Sequence, residues 1–282
     1  MERTTTDNHR SAIERAQEQA QESLEQLLVD LDQGHSESLL GVLRALGNFH
    51  EYSFANAMMI VGQRPDATRV AGYRTWQRLG RQVRRGEKGI VIIAPMVGRR
   101  DEEGGDERVV RGFRAARVFD IEQTDGEPLP ELEVTRGDPG EHAARIREYA
   151  QLHGIDVEYS DGLGLANGAS TGGKILLRRG LEPADEFATL VHEIAHEMLH
   201  QGMSRTQRPP LAVRETEAEA VSFAVSNAIG LEVGGAARDY IQMYRGDAAV
   251  LKAALDRVHR VSTSILAFLK SDEADAAIAE AA

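Results

Sequence analysis

The chain has 282 residues, of which 41% are hydrophobic and 28% charged, with a net charge of −12 and no cysteine. This is the composition of a soluble globular protein of one or two domains, and the lack of cysteine excludes disulfide bonds and thiolate metal sites, so a bound metal must take nitrogen and oxygen ligands. Because no apolar run is long enough to cross a bilayer and the polar N-terminus lacks a secretory signal, we expect a cytoplasmic protein without a membrane partner.

The charge is unevenly distributed along the chain. Residues 64–117 contain fourteen basic residues against seven acidic ones, a balance of +7, so the rest of the chain carries −19. This asymmetry indicates two halves with different functions.

The first half is predicted to be α+β with a small sheet. Helices are expected at 9–32, at 36–48 and over SFANAMMIVGQ, which ends before Pro65, and YRTWQRLG is typical of a short helix closed by Gly80. The β-branched run GIVIIAPMV and the alternating run RVVRGFRAARVFDIE predict strands. Between them, the acidic, glycine-bearing RRDEEGGDER is predicted to be a hairpin tip.

The second half is predicted to be mainly helical with a small sheet. EHAARIREYAQLHG is expected to form a helix that ends at Gly154, IDVEYS and KILLRRG are strand-like, and everything from Glu182 onward has helical patterning. Residues 126–140 collect prolines, glycines and acids without periodicity, which indicates a linker. The predicted fold class is therefore α+β in two domains, 1–125 and 141–282.

The stretch LVHEIAHEMLH lies in a helix with clear boundaries, since Pro183 suits its first turn and Gly202 its end. On that helix His192 and His196 stack one turn apart, so both imidazoles can reach one ion. Glu193 points about 100° away and can contact a water on the ion without binding the ion itself. This is the HExxH arrangement of zinc hydrolases. His200, a further turn along, is interpreted as a helix-end histidine near the negative pole of the dipole.

A hydrolytic zinc site needs three protein ligands and one open position. The segment VRETEAEAVSFAVSNAIG offers Glu215, Glu217 and Glu219, with small residues that allow close helix packing. Glu215 and Glu219 share a face and Glu217 points roughly opposite, which favours Glu215 as the ligand and Glu219 as an orienting partner of a ligand histidine. All three glutamates stay open as the third ligand, and so does a solvated face for these acids.

These residue types predict metal-dependent peptide hydrolysis. The ion would lower the pKa of its bound water toward ~7. Glu193 would take the proton from that water and pass it to the leaving amine.

Basic and aromatic residues alternate between Arg64 and Lys88, where eight basic residues meet two acidic ones. Arginines that follow phosphates, with aromatics that stack on bases, are typical of single-strand-binding surfaces. The candidates for DNA contact are Tyr73, Arg74, Trp76, Arg78, Arg81, Arg84, Arg85 and Lys88. The alternative is a charged turn with Trp76 in the core.

The run YSFANAMMIVGQRPDATRVAGYRTWQRLGRQVRRGEKGIVIIAP resembles the N-terminal domain of ArdC-type antirestriction proteins, a single-stranded-DNA-binding module. ASTGGKILL, LVHEIAHEMLH and RETEAEAVSF resemble the ImmA/IrrE-like metallopeptidase domain that accompanies it. The resemblance implies metal ligands at His192 and His196, the general base at Glu193 and a third ligand at Glu215, with a second alignment centred on Glu217.

The expected function is a single-stranded-DNA-binding protein of mobile elements that carries a zinc-dependent peptidase, with manganese and cobalt as alternative metals. Its expected partners are single-stranded DNA and a protein substrate. Three alternatives stay open. They are a pure DNA-binding protein whose metal site is not catalytic, an ImmA-like protease that cleaves a repressor, and a protease for proteins crosslinked to DNA.

Overall fold

The computed structural model describes residues 2–33, 36–99, 108–127, 137–164, 166–204, 206, 208–231 and 248–271. The chain divides into two compact units: unit 1 comprises residues 1–26 and 55–130, and unit 2 comprises residues 27–54 and 131–282. This division differs from the predicted domains in assigning residues 27–54 to the second unit. In the described ranges, no helix has both the length and the apolar character needed to span a membrane.

Unit 1 is built on a three-stranded antiparallel sheet with the order β1-β4-β3, formed by β1 (Val70–Gly72), β3 (Ile90–Arg99) and β4 (Arg108–Asp120). One face of the sheet packs against α1 (Glu2–Asp32) and α3 (Phe54–Gln63), where Ala16, Met59 and Val91 are buried together. The predicted hairpin tip between β3 and β4 lies mostly outside the described residues.

Helix α3 closes the edge of this sheet with two side-chain amides. Asn56 donates to the carbonyl of Ile93 at 2.9 Å and accepts from its N–H at 2.8 Å. Gln63, two turns further along, makes the same pair of bonds to Val91. The exposed backbone of the edge strand β3 is thereby satisfied, which removes a site for unwanted strand pairing.

The remaining elements of unit 1 are α4 (Tyr73–Arg78), β2 (Arg81–Val83) and β5 (Thr124–Gly126), and β2 pairs with β5. Asp120 is fully buried and accepts hydrogen bonds from the backbone N–H groups of Thr68 and Arg69. This carboxylate fixes the chain as it enters β1.

In unit 2, α7 (Leu211–Ala228) packs against three helices, namely α2 (Ser36–Asn48), α6 (Pro183–His200) and α8 (Ala248–Leu269). α5 (His142–Leu152) contacts α6 and α8. Leu39, Leu43 and Leu46 of α2 are buried. The burial of this apolar side explains why residues 27–54 belong to unit 2 although they precede most of unit 1 in sequence.

The sheet of unit 2 has the order β6-β8-β7, with β6 (Asp156–Ser160) parallel and β7 (Gly168–Ser170) antiparallel to β8 (Lys174–Arg178). Helix α6 lies against β7 and β8, and Ile175 and Leu177 are fully buried. The helix that carries the HExxH sequence is thus held by the sheet and by neighbouring helices.

The predicted α+β class is confirmed, and the long predicted helices and strands are present. The four strands of three residues, β1, β2, β5 and β7, were not predicted because so short a segment shows no alternation. Most of the predicted linker and the segments 232–247 and 272–282 lie outside the described residues.

Candidate metal centre

Helices α6 and α7 approach closely enough for their side chains to share one ion. Phe187, Val191 and Ile194 bury the apolar side of α6. On α7, the hydroxyl of Ser222 is buried and donates to the carbonyl of Ala188 at 2.8 Å. This direct contact between a small side chain and the backbone of α6 sets the short distance between the helices.

Three potential ligands converge at this contact. The Nε2 atoms of His192 and His196 are 3.1 Å apart, and Oε2 of Glu215 lies 3.5 Å and 3.4 Å from them. Ligand atoms bound about 2.0–2.2 Å from a tetrahedral zinc ion are roughly 3.4 Å from one another. One nitrogen or oxygen from each residue lies within 4.8 Å of the other two. The donor set and its spacing therefore fit one divalent cation.

Glu219 and Glu217 have different positions from Glu215. Glu219 lies on the outer side of His192, with Oε2 3.1 Å from Nδ1 of that ring. Glu217 is 1% exposed and points into the interior, where it pairs with His200 and with Arg257 of α8. Glu217 therefore lies in a buried ion pair, while Glu215 reaches the two histidines.

His200 is buried as well, at 2% exposure, and its Nδ1 is 3.2 Å from Nδ1 of His196. Its interpretation as a helix-end histidine misses this contact. The signal available in the sequence is the spacing, because positions 192, 196 and 200 lie on one face of α6.

The surroundings shift the pKa values of the two ligand histidines in opposite directions. Burial lowers the pKa of His192, but hydrogen bonds to Glu215 and Glu219 outweigh it and raise the pKa to about 9. The pKa of His196 is instead lowered to about 4 by burial and by the charge on His192. The pKa values of the two rings therefore lie on opposite sides of neutrality, and a divalent cation could supply the positive charge that the carboxylates favour at His192.

Glu193 lies beside this cluster without belonging to it. It lines a cavity of about 360 Å³ together with His192 and Glu215, and it also lines a second cavity on the side of His196. Burial, assisted by the charges of Glu215 and Glu197, raises the pKa of Glu193. A carboxylate with a raised pKa, adjacent to the ligands in an open cleft, is placed to accept a proton.

The strand β7 forms one wall of both cavities. Glu197 of α6 holds its end, accepting from the hydroxyl of Ser170 at 2.6 Å and from the N–H groups of Gly172 and Gly173 at 2.9 Å each. Both glycines have positive φ angles, +83° and +80°. Sequence reasoning missed Glu197, since its partners are a turn far away in sequence.

The predicted DNA-contact residues of unit 1 fall into two groups. Trp76 is 2% exposed and its indole N–H donates to the carbonyl of Phe119, so the prediction that it stacks on a base is corrected to a core position. Arg81 donates to Thr124 and Gly126. Arg84 pairs with Glu87 and Asp125. These two guanidinium groups bind within the protein.

The other predicted contacts have exposed side chains. They are Tyr73, Arg74, Arg78, Arg85 and Lys88. They share the segment from α4 to the turn after β2. Arg84 is exposed as well, with 43% of its side chain accessible, so six of the eight predicted residues lie at the surface.

Known proteins resemble the chain in sequence and fold. Residues 10–119 match the sequence model of the N-terminal domain of anti-restriction factor ArdC. The crystal structure of the antirestriction protein ArdC from plasmid R388 in its metal-free form superposes with a TM-score of 0.53 at 17% identity, covering 89% of this chain and 98% of that one. Its Mn(II)-bound structure gives the same TM-score at 18% identity, over 89% and 97% of the two chains.

A curated relative, an uncharacterized protein of Bacillus anthracis, is 23% identical and covers 90% of this chain. The chain spans about half the length of that relative, 51%.

Proposed function

We propose that this chain, whose residues 10–119 match the ArdC N-terminal model and whose fold resembles that of ArdC from plasmid R388, is an antirestriction protein that combines a metal-dependent peptidase with a surface for single-stranded DNA. The observation that carries the peptidase is the convergence of His192, His196 and Glu215 beside Glu193. The ArdC of plasmid R388 has a Mn(II)-bound form, which supports a divalent ion here.

The catalytic roles follow from the positions of the side chains. A divalent ion held by His192, His196 and Glu215 would polarise the peptide carbonyl and acidify a water molecule. The Glu193 carboxylate takes the proton of the attacking water and returns it to the amine nitrogen as the peptide bond breaks. The cavities on either side of Glu193 leave room for the substrate chain on both sides of that bond.

Glu193→Gln tests the peptidase. We expect hydrolysis of an unfolded protein such as casein to fall by about 10²–10⁴-fold, because the amide cannot accept the proton. Zinc affinity should stay within about twofold of wild type, since Glu193 is not a ligand. Glu182→Gln, an exposed position at the start of the same helix, is the matched control. Wild-type rates in Glu193→Gln would contradict the proposal.

We propose zinc as the native metal, because two imidazoles and one carboxylate form a common hydrolytic zinc donor set. Mass spectrometry of protein purified without chelator should find about one equivalent in the wild type and none in His192→Ala. Manganese or cobalt in place of zinc would correct the metal and keep the site. No metal in either protein would contradict the metal centre.

We propose that unit 1 supplies the single-stranded-DNA surface. Of the predicted contacts, Arg74, Arg85 and Lys88 are exposed cations. Arg81 and Arg84, in contrast, bind other side chains of unit 1, Thr124 and Glu87 respectively. Arginines and lysines that neutralise phosphates make affinity fall steeply with salt, with a slope of about 0.7 per contact for single strands. The charges of these residues would therefore set both the affinity and its salt dependence.

The test is a salt titration with a single-stranded oligonucleotide. Arg85→Gln and Lys88→Gln should each reduce the slope by roughly 0.7. Lys252→Gln, an exposed lysine of unit 2, should leave it unchanged. A flat response in the wild type would contradict the DNA surface, and the alternative of a repressor-cleaving protease, in which the basic half binds protein, would remain. Strong DNA binding without hydrolysis would indicate a pure DNA-binding protein.

A further inference from the structure

A chain of hydrogen bonds leads from one candidate metal ligand into the core of unit 2. Nδ1 of His196 is 3.2 Å from Nδ1 of His200, and Nε2 of His200 is 3.0 Å from Oε2 of Glu217. The other oxygen of Glu217 accepts from Arg257, whose Nε lies 3.2 Å away. His200 and Glu217 are 2% and 1% exposed, so neither can meet a substrate.

With His200 as a neutral imidazole, the hydrogen bonds in this chain run in only one direction. The guanidinium of Arg257 has donors only, so Glu217 accepts from it as a carboxylate. That carboxylate needs a donor on its second oxygen, which is the Nε2–H of His200. A neutral imidazole protonated at Nε2 has a lone pair at Nδ1, so His200 accepts from Nδ1–H of His196. Nε2 of His196 then carries the lone pair that faces His192 and Glu215.

We infer that His200, Glu217 and Arg257 are positioning residues that hold His196 in the tautomer and ring orientation in which its Nε2 can bind a metal. This inference rests on the proposed metal centre and adds a role for three residues outside the ligand set. Arg257 comes from α8, so the last described helix is tied to the centre through Glu217.

The two ligand histidines are thus supported differently. His192 has a direct carboxylate partner in Glu219, whose side chain is 38% exposed. His196 instead contacts a second histidine, His200. The carboxylate of Glu217 lies on the far side of His200 and is paired with Arg257. With His200 neutral, the net charge of the His200–Glu217–Arg257 group is zero, so the group would orient His196 without adding a second negative charge beside a bound ion.

Zinc affinity of variants is the first test. His200→Leu should weaken zinc binding by about 10–100-fold, as the loss of such outer partners does. His200→Gln should restore most of the affinity, because its amide oxygen can accept from His196 while its NH₂ donates to Glu217. His153→Gln, an exposed histidine of the same unit, should have no effect. Thermal stability of each metal-free variant is measured in parallel.

A purely structural role for His200 would lower the stability of metal-free His200→Leu while zinc affinity stayed within twofold of wild type, and that result would overturn the inference. Equal losses of zinc affinity in His200→Gln and His200→Leu would overturn it too, because the polarity of the hydrogen bonds would then be irrelevant.

The second test needs no metal. In ¹⁵N-histidine spectra of the metal-free protein at pH 8, we expect His200 to carry its proton at Nε2 and His196 at Nδ1. A His200 protonated at Nδ1 would overturn the inference. If the wild type bound no zinc, the proposed metal centre would fail, and the tautomers of His196 and His200 would still decide whether the hydrogen-bonded chain exists in this direction.

Discussion

Gly168 lies so close to Glu193 that a Cβ at this position would stand 2.8 Å from both Cγ and Oε1 of the glutamate. The same atom would come within 2.7 Å of Cγ2 of Thr189. Real Cβ atoms do not tolerate such distances. The missing side chain at Gly168 is what lets β7 pass directly beside the proposed general base.

Gly168→Ala should therefore displace Glu193 and reduce peptide hydrolysis. We expect a loss of at least about 10-fold, since small misplacements of a catalytic group can cost roughly 10²-fold. Zinc affinity should change little, because the clash does not involve His192, His196 or Glu215. The measurements are casein hydrolysis and zinc titration on the same preparation.

Gly162→Ala is the matched control, because a Cβ there makes only an ordinary contact of 3.5 Å with Ser160. If both variants lost activity equally, a general loosening of the glycine-rich segment would explain the result better than a clash with Glu193.

A second prediction concerns Glu197, which fixes the turn between β7 and β8. In Glu197→Gln one acceptor oxygen becomes an NH₂ group, which cannot accept from Gly172 or Gly173. We expect the free energy of unfolding to fall by about 1.5–3 kcal/mol, the range for a hydrogen bond to a charged group. Faster hydrogen exchange at the amides of Gly172 and Gly173 should locate the effect.

Glu148→Gln, an exposed position on α5, should change neither the exchange rates nor the stability. Because Glu197 also secures the strand that carries Gly168, hydrolysis should decline in Glu197→Gln. Unchanged exchange at both glycines would show that Glu197 does not hold the turn in solution.

The proximity of His192, Glu193 and His196 can be predicted from the sequence, because it follows from their spacing on one helix. The choice among Glu215, Glu217 and Glu219 depends on tertiary packing, since all three lie on one helix within about one turn. Burial beside Arg257, forty residues away, directs Glu217 inward. The sequence of α7 alone does not indicate that Arg257 is the partner of Glu217.

Prediction of the DNA-contact residues from the sequence is limited for the same reason, because it too depends on tertiary packing. Arginine and aromatic residues can be recognised as a class in the sequence, but the sequence does not distinguish a surface cation from one that binds the backbone. Arg81 donates a hydrogen bond to the carbonyl of Gly126 in β5, and Trp76 is buried in the core of unit 1. Both assignments depend on segments more than forty residues away.

Two glycines of α2 are expected to respond in opposite ways to alanine. A Cβ at Gly47 would be 2.5 Å from the carbonyl oxygen of Ala224 on α7, whereas a Cβ at Gly41 would have no neighbour within 4 Å. Gly41→Ala should raise the free energy of unfolding by about 0.5–1 kcal/mol through helix propensity. Gly47→Ala should lower it by about 1–3 kcal/mol through overpacking.

Urea denaturation of the two variants checks this pair, because they differ only in position along one helix. Gly41→Ala is the control for Gly47→Ala, because it reports the effect of an alanine on α2 without a steric clash. A stabilising Gly47→Ala would mean that α2 and α7 can separate at little cost, and that residues 27–54 are not firmly packed in unit 2.

The last prediction concerns the acid stability of unit 2. His50 and His259 are 8% and 3% exposed, and each ring donates an N–H hydrogen bond to a backbone carbonyl, of Gly47 and Tyr52 respectively, at 2.9 Å. Burial lowers the pKa of both rings. Lys270 adds to this effect at His50, and Asp256 opposes it at His259.

A histidine whose pKa is lower in the folded than in the unfolded chain binds protons preferentially after unfolding. Stability from these two residues should therefore be complete above their unfolded pKa of about 6.5 and decline as the pH falls toward their folded values. The slope can reach at most roughly 1.4 kcal/mol per pH unit for each histidine.

The measurement is the free energy of unfolding of the metal-free protein in urea between pH 8 and pH 5. His259→Gln should flatten the decline, and the exposed His153→Gln should leave it as in the wild type. A decline equally steep in His259→Gln would assign the acid sensitivity to other groups.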